Sequence, residues 1–547
     1  MNAGILLVLL ALGAIAISEF GRRINAQPGL LILVAAAAVS FLPGLPRLEL
    51  HPELILGLVV PPLLYAAALE FSFFSFVRNL RSIIGLGVWL VLLTALAVGY
   101  TTAWLLPAVG VSVAFVLASI VAPPDTVTIT SHGDEIGLPR RVSAILTGES
   151  LVNDAAALTL FTITVGWTSG EASFIDQPVL LFLYSAAAGI LIGTLLGNLA
   201  TLLRHYLDPT LATAVGLILP FGAYLAAEEV HASGVLAVVM AGFSVSVDSA
   251  FGNRRRQRLD YRTRMTEREV WPVLGSLLEA FVFAYTGLQL RFVIEELRES
   301  GEPFGRAVLA GVVLLLVVIA VRYLWVSVVF GRRLLAMQAF YRRLEDPRWR
   351  ELMVRRRQRA LERLQRRQRR RGRPGRLRGQ GPSARPRGPM RSRRLPAVLS
   401  WGEQALVSWT GMRGIVTLGA AGGIPLVTEA GEPFPHRTLL QFLAYVVVIG
   451  TLLIQGPTLP LLARWLRIDT TEEDREAADA LARATAVAAL AAGSGNDEGT
   501  DAYFDRQRDA LALAVVQRDL DDEAAQIVLE RIDRRQAAAE PVTGSVR

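Results

Sequence analysis

The sequence predicts an all-α membrane protein of about thirteen transmembrane helices. Three observations carry this prediction. Of 547 residues, 52% are hydrophobic, and the mean hydropathy is +0.42, which is too apolar for a water-soluble core. The apolar residues fall in stretches close to the roughly 20 residues that cross a bilayer as a helix. All 56 basic residues are arginine, and they alternate between loops, crowded into the odd-numbered and sparse in the even-numbered ones.

Read against proline, glycine and charge, the spans lie near 3–20, 28–43, 54–72, 82–104, 112–131, 142–168, 179–203, 209–227, 232–248, 270–289, 307–330, 402–427 and 438–465. Met1–Ser18 contains Ala14-Ile15-Ala16, which resembles a leader cleavage site. A leader carries its positive charge ahead of the apolar stretch, whereas Arg22 and Arg23 follow it, so this segment reads as the first helix. The odd loops hold Arg22 and Arg23, Arg78 and Arg81, Arg140 and Arg141, Arg204, the run Arg254 to Arg268, and the segment Arg332 to Arg394. The even loops hold Arg47, Arg291, Arg298, Arg306 and Arg437, with Glu295, Glu296 and Glu299 among them. The positive-inside rule places the odd loops and the C-terminus in the cytoplasm and the N-terminus outside.

The organisation is therefore helices 1 to 11 over 1–340, an Arg-rich linker over 341–398, helices 12 and 13 over 399–468, and a helical tail over 469–547. The linker reads as a solvated cytoplasmic segment that can contact anionic lipid headgroups. The tail shows helical periodicity around Ala510–Ile532 and nothing catalytic. The net charge of +8 resides in loops, so it reads as topology and not as a nucleic-acid surface. Without cysteine there is no disulfide, thiol chemistry or zinc–thiolate site, and five histidines leave little room for a His-rich metal site.

An ionisable residue inside a span is costly and is read first as functional. In the fifth span, Pro123 and Pro124 lack the N–H groups that would bond Ser119 and Ile120, so the helix must break beside Asp125. Such breaks persist where they line an ion site. In the sixth span, Gly148-Glu149-Ser150-Leu151-Val152-Asn153-Asp154 puts Ser150, Asn153 and Asp154 on one face, with Glu149 beside Asn153. These are hard oxygen ligands suited to Na⁺ or K⁺. In the twelfth span, Gly411-Met412-Arg413-Gly414 carries a permanent positive charge that needs a buried anion, with Glu149 and Asp154 as candidates.

These residues resemble the bacterial cation:proton antiporter family that includes the Na⁺/H⁺ exchangers. Pro61-Pro62-Leu63-Leu64-Tyr65, His231-Ala232-Ser233-Gly234-Val235-Leu236, Gly287-Leu288-Gln289-Leu290, Arg322-Tyr323-Leu324-Trp325 and Gln455-Gly456-Pro457-Thr458-Leu459 extend the match in order across the membrane region. The resemblance implies an inverted-repeat core in which two broken helices, the fifth and twelfth spans, cross at mid-membrane, plus a bundle that forms a homodimer. It implies a bacterial inner-membrane location, Asp154 as the carboxylate shared by cation and proton, and Asp125, Ser150, Asn153 and the backbone at Pro124 around the ion. It further implies a structural Glu149–Arg413 ion pair and electroneutral exchange. Departures are Pro124-Asp125-Thr126, where many relatives have Thr-Asp-Pro, Ala66, where many carry an acid, and the length of the Arg-rich insert.

The function this supports is gradient-driven exchange of Na⁺ for H⁺ without an enzymatic step or cofactor, its partners being the cation, the proton and lipid. No nucleotide-binding loop precedes a lysine, so ATP is not the expected energy source. K⁺/H⁺ exchange at the same site is the alternative. A cation channel would not need Asp154 to titrate, and a receptor with a degenerate site would not need the complete residue set.

Overall fold

The computed structural model describes residues 3–23, 28–42, 55–125, 138–170, 175, 177–251, 260–301, 303–345, 399–468, 470–493, 499–517 and 519–539. Over these the chain is helical. In order run α1 (Ala3–Arg23), α2 (Pro28–Ser40), α3 (Ile55–Glu70), α4 (Phe73–Leu105), α5 (Val111–Val121), α6 (Arg140–Ser169), α7 (Pro178–Arg204), α8 (Pro209–Glu228), α9 (Gly234–Phe251), α10 (Tyr261–Glu299) and α11 (Phe304–Val326). Then follow α12 (Trp401–Trp409), α13 (Ile415–Gly422), α14 (Arg437–Leu466), α15 (Thr471–Ala492), α16 (Asp501–Val516) and α17 (Asp522–Ala539). Residues 126–131 of the fifth span, Arg47, the arginines at 254–258 and the Arg-rich segment from 346 to 398 lie outside the described residues.

Among the described residues, six helices are long and apolar enough to cross a membrane: Phe73–Leu105, Pro178–Arg204, Pro209–Glu228, Tyr261–Glu299, Phe304–Ala339 and Arg437–Leu466. α2, α3, α5 and parts of α1 and α9 are shorter apolar helices. Leucines on α7 such as Leu183, Leu191 and Leu195 face outward, because the medium around this helix is lipid or another protein surface.

The membrane helices sort into two bundles by their packing. α1, α2, α3, α7, α8, α9 and α10 pack chiefly on one another, and α4, α5, α6, α13 and α14 do likewise. The second bundle holds the breaks. α5 stops at Val121, one residue short of Ala122-Pro123-Pro124, as missing proline N–H groups require. The twelfth span is interrupted between Trp409 and Ile415, leaving α12 and α13 as two half-helices. A π-helical turn at Gly85–Trp89 lies where α4 passes α6 closely.

The tail folds as three helices around Ala484, Ala488, Tyr503, Phe504, Leu511, Val528 and Ile532. The expected single periodic stretch is divided between α16, which ends at Val516, and α17, which starts at Asp522. The module packs on α9 and α10. Asp533, 1% exposed, accepts from Arg264 of α10 at 2.6 and 3.0 Å and from Arg508 of α16 at 2.9 Å. Arg78 of α4 lies 3.3 Å from Asp521, and Arg141 of α6 lies 2.7 Å from Glu473 as an ion pair without hydrogen-bond alignment.

Two measurable consequences follow for the tail. Asp533→Ala removes the carboxylate that two buried arginines share, while Arg508 keeps Asp505, so the cost should be at or below the roughly 3–5 kcal/mol of a broken buried pair. Limited proteolysis of the intact protein should then cut within α15–α17 at concentrations that spare the wild type. Asp522 is buried, and burial together with the Asp521 charge raises its carboxyl from 3.8 to about 6, against the pull of Arg78. A carboxyl that holds its proton more tightly when folded stabilises the module at low pH and loses that stability as pH rises through about 6. Asp522→Asn should therefore slow amide exchange in α17 at pH about 8 and leave it unchanged at about pH 4. Equal protection of both proteins at both values would contradict the buried position.

Candidate functional site

The two breaks meet and complete each other's backbone. The Asp125 N–H donates to the Met412 carbonyl at 2.6 Å, so the unwound segments touch directly. The Asp125 carboxylate accepts from the Ile415 N–H at 3.3 Å, capping the N-terminus of α13, where a helix presents unpaired donors and partial positive charge. Arg413 performs the converse task. Its guanidinium donates to Val121 at 2.9 Å, to Ala122 at 3.2 Å and to the Gly411 carbonyl, and so covers the C-terminal end of α5. Its own N–H donates to Thr451 of α14 at 3.0 Å. The carbonyls it takes are those at the actual end of α5, not those of Ser119 and Ile120, because the chain leaves the helix after Val121.

Glycine at two positions permits this crossing. A side chain at Gly414 would run into the Asp125 carboxylate, and one at Gly411 would run into the side chain of Arg322.

α6 passes beside the crossing. Asn153 donates from Nδ2 to the Pro124 carbonyl at 2.7 Å, tying α6 to the break in α5. Asp154, 6% exposed, therefore stands next to Asp125, and the charges of Asp125 and Glu149 act on it. Ser150 Oγ and Asn153 Oδ1 are buried without a hydrogen-bond partner among the described residues. Buried polar atoms are seldom left unpaired, so two orphaned oxygens beside two carboxylates mark a place with unused ligand capacity. The structure thus brings the α6 residues Ser150, Asn153 and Asp154 beside Pro124 and Asp125 of the break.

The ion pair expected between Glu149 and Arg413 is not formed. Glu149, fully buried, is paired with Arg322 of α11 through Nη1, with Nη2 at 3.2 Å from its second oxygen. Arg322 also donates from Nε to Val407 at 3.1 Å. The physical reason lies in the donors. One carboxylate takes one guanidinium in this two-pronged mode, and Arg413 spends its donors on the helix-end carbonyls. Arg322 was quoted above only as part of a motif, yet a buried arginine inside an apolar span already demanded an anion. Glu279 of α10 was missed on the same signal. It is partly buried, and the Asp125 charge acts on it, so a further carboxylate stands near the crossing.

Residues 6–353 match the family described as sodium/hydrogen exchanger, transmembrane. The chain is similar to an uncharacterized Na⁺/H⁺ exchanger of Mycobacterium tuberculosis, 28% identical over 473 residues that cover 85% of this chain and 75% of the relative. It is similar to a sodium, potassium, lithium and rubidium/H⁺ antiporter of Bacillus subtilis, 29% identical over 468 residues covering 84% of this chain and 61% of that one. Among solved structures, the sodium proton antiporter of Methanocaldococcus jannaschii shares the fold. The TM-score is 0.57 at 15% identity, over 84% of this chain and 97% of that one.

The revised pairing has its own test. Arg322→Ala should lower stability by about 3–5 kcal/mol by stranding Glu149 in the core, visible as a lower melting temperature in detergent. The double variant Arg322→Ala with Glu149→Ala should recover part of that loss. If Glu149→Ala recovered none of the loss in Arg322→Ala but did recover the loss in Arg413→Ala, Arg413 would be the partner of Glu149.

Proposed function

This chain belongs to the sodium/hydrogen exchanger family and exchanges Na⁺ for H⁺ across the membrane, and we propose that Asp154 is the carboxylate both ions share. The observation that carries this reading is the position of Asp154, buried beside the crossing with Ser150 Oγ and Asn153 Oδ1 unpartnered next to it. Asp154, Asp125, Ser150, Asn153 and the backbone at Pro124 supply oxygen donors for a dehydrated monovalent cation. Charge arithmetic supports coupling. With Asp125 occupied at the α13 N-terminus and Glu149 by Arg322, Asp154 is the carboxylate of the α6 polar stripe left to be neutralised by the transported ion, with Glu279 of α10 as a second acid nearby. Either Na⁺ or a proton can do so, and each excludes the other.

The cycle then needs one condition. α6 and the crossing move relative to the other bundle only when Asp154 is neutral, because carrying a bare charge through low dielectric is costly. One carboxylate flanked by the neutral Asn153 gives one Na⁺ for one H⁺ without net charge. K⁺ is the alternative cation, favoured by the Bacillus subtilis relative, whose name includes potassium. The further features of this reading are thirteen crossings of a bacterial inner membrane, an N-terminus outside, a cytoplasmic tail, and a homodimer. The tail's contacts with Arg78, Arg141 and Arg264 support its side, since those arginines belong to the Arg-rich odd loops. The outward apolar face of α7 supports a second copy as its neighbour.

Three measurements on protein in liposomes with an internal pH dye bear on this. Asp154→Asn should insert normally and abolish exchange of Na⁺, K⁺ and Li⁺ alike, whereas near-normal rates would end the assignment. Wild-type exchange should show a bell-shaped pH dependence. Protons displace the cation at low pH, and the returning proton is scarce at high pH. Its rate should not shift with a clamped membrane potential, and a shift would show that net charge moves.

A further inference from the structure

A second polar constellation lies away from the crossing. Beyond Asp154, α6 continues through Thr159 and Thr162, and there it meets the end of α8 and the turn into α9 around a cavity of about 260 Å³. Its polar lining includes Thr159, Thr162, Tyr224, Glu228, His231 and Ser233. α6 starts at Arg140, beside the tail, and the cavity borders its far half, so the cavity belongs to the face away from the tail.

One hydrogen bond in the cavity wall joins α6 to the turn before α9. Thr159 Oγ1 lies 2.8 Å from Ser233 Oγ, and both residues are buried. Ser233 is held in place. Its N–H donates to the Ser185 carbonyl at 3.0 Å, and its hydroxyl accepts from the Leu236 N–H at 3.3 Å at the start of α9. The turn before it places His231 at φ 54°, in the left-handed region, and is tied back by the Ala232 N–H to Ala227 at 2.9 Å. Thr159 also reaches the Ala155 carbonyl at 2.7 Å. Each hydroxyl carries one proton, so if Thr159 donates to Ala155, Ser233 donates to Thr159 and the chain of bonds is complete.

The position of this bond gives it meaning. Asp154 precedes Thr159 by five residues, roughly 7.5 Å along the helix and about 140° around it, and Ala155, one turn from Thr159 on its stripe, is the chain neighbour of Asp154. α6 and α9 belong to different bundles, so the bond joins the two bodies. We propose that the cavity is the cation vestibule on the face away from the tail, and that the Thr159–Ser233 hydrogen bond is the gate that separates it from Asp154. Glu228 places negative charge in the vestibule wall, which favours a cation there over an anion. The volume accommodates a cation with part of its water shell. The inference assigns a role to the His231-Ala232-Ser233-Gly234 run, and it rests on the exchange reading only in requiring a path to Asp154.

The absence of cysteine in the chain makes a direct test possible. Ala155→Cys places a single thiol just beneath the gate. A membrane-impermeant methanethiosulfonate, added to oriented vesicles from the face away from the tail, should label it slowly. Adding Thr159→Val or Ser233→Ala should speed labelling roughly two- to tenfold, the range one neutral hydrogen bond supplies. Thr159→Ser keeps the hydroxyl and should label as slowly as Ala155→Cys alone. The gate is refuted if neither hydroxyl removal changes the rate, or if Thr159→Ser accelerates labelling as much as Thr159→Val. Labelling requires no turnover, so a failure of the Asp154 assignment would show in transport assays and leave this result standing.

Discussion

Everything at the centre of this protein depends on one exchange of caps between two broken helices. A helix that ends inside an apolar bundle leaves unpaired carbonyls or N–H groups with no water to receive them. Here the end of α5 is answered by Arg413 from the other break, and the start of α13 is answered by Asp125 from the first. Each charge sits against the helix end of opposite partial charge. The direct bond from Asp125 to Met412 locks the two segments in register. Neither break is stable without the other, so the crossing behaves as one unit.

That arrangement sets the charge state of the rest of the site. Arg413 is committed to carbonyls, so the second buried cation, Arg322, is free to hold Glu149, and Thr410 and Val407 complete its coordination. With these charges matched, a stable core surrounds Asp154, whose carboxylate makes no hydrogen bond among the described residues. Asn153 explains why Asp154 lies where it does. Its amide group is anchored to the Pro124 carbonyl, one of the few acceptors a broken helix offers at this depth. The amide oxygen is left over, and it points the same lesson as Ser150 Oγ: the scaffold's needs are met and some oxygens remain.

Much of this was legible in the sequence. Pro123-Pro124 announces a broken helix because proline lacks a donor, and the i,i+4 spacing of Ser150 and Asp154 announces a shared face because helical geometry is fixed. What could not be read was the matching of partners. Two buried arginines and several buried acids admit more than one pairing, and the choice depends on where α11 and the α12–α13 break lie in three dimensions. Arg413 lost Glu149 to Arg322 for that reason. Glu279 was overlooked because α10 is long and bears acids and arginines at both ends, so one more acid within it did not stand out. The three-helix tail was only half visible, since Asp533 is buried by Arg264 from a helix 269 residues away in sequence.

The separation of structural from exchangeable charge also explains how a rigid crossing can belong to a moving protein. The bonds that hold the crossing together, from Asp125 to Met412 and from Arg413 to Val121, lie within one bundle, and a displacement of that bundle as a body leaves them intact. The links between bundles are of a different kind. Thr159 to Ser233 is a single neutral hydrogen bond, worth about 1 kcal/mol net. The tail touches both bodies through the side chains of Arg78, Arg141 and Arg264. Mutually capping contacts inside one body let that body move as a unit, while its packing on α7, α9 and α10 of the other body has to slide. The Pro123-Pro124 break and Arg413 are thus satisfied within one bundle, and the other bundle meets its own buried charge separately, with Arg204 of α7 paired to Glu267 of α10.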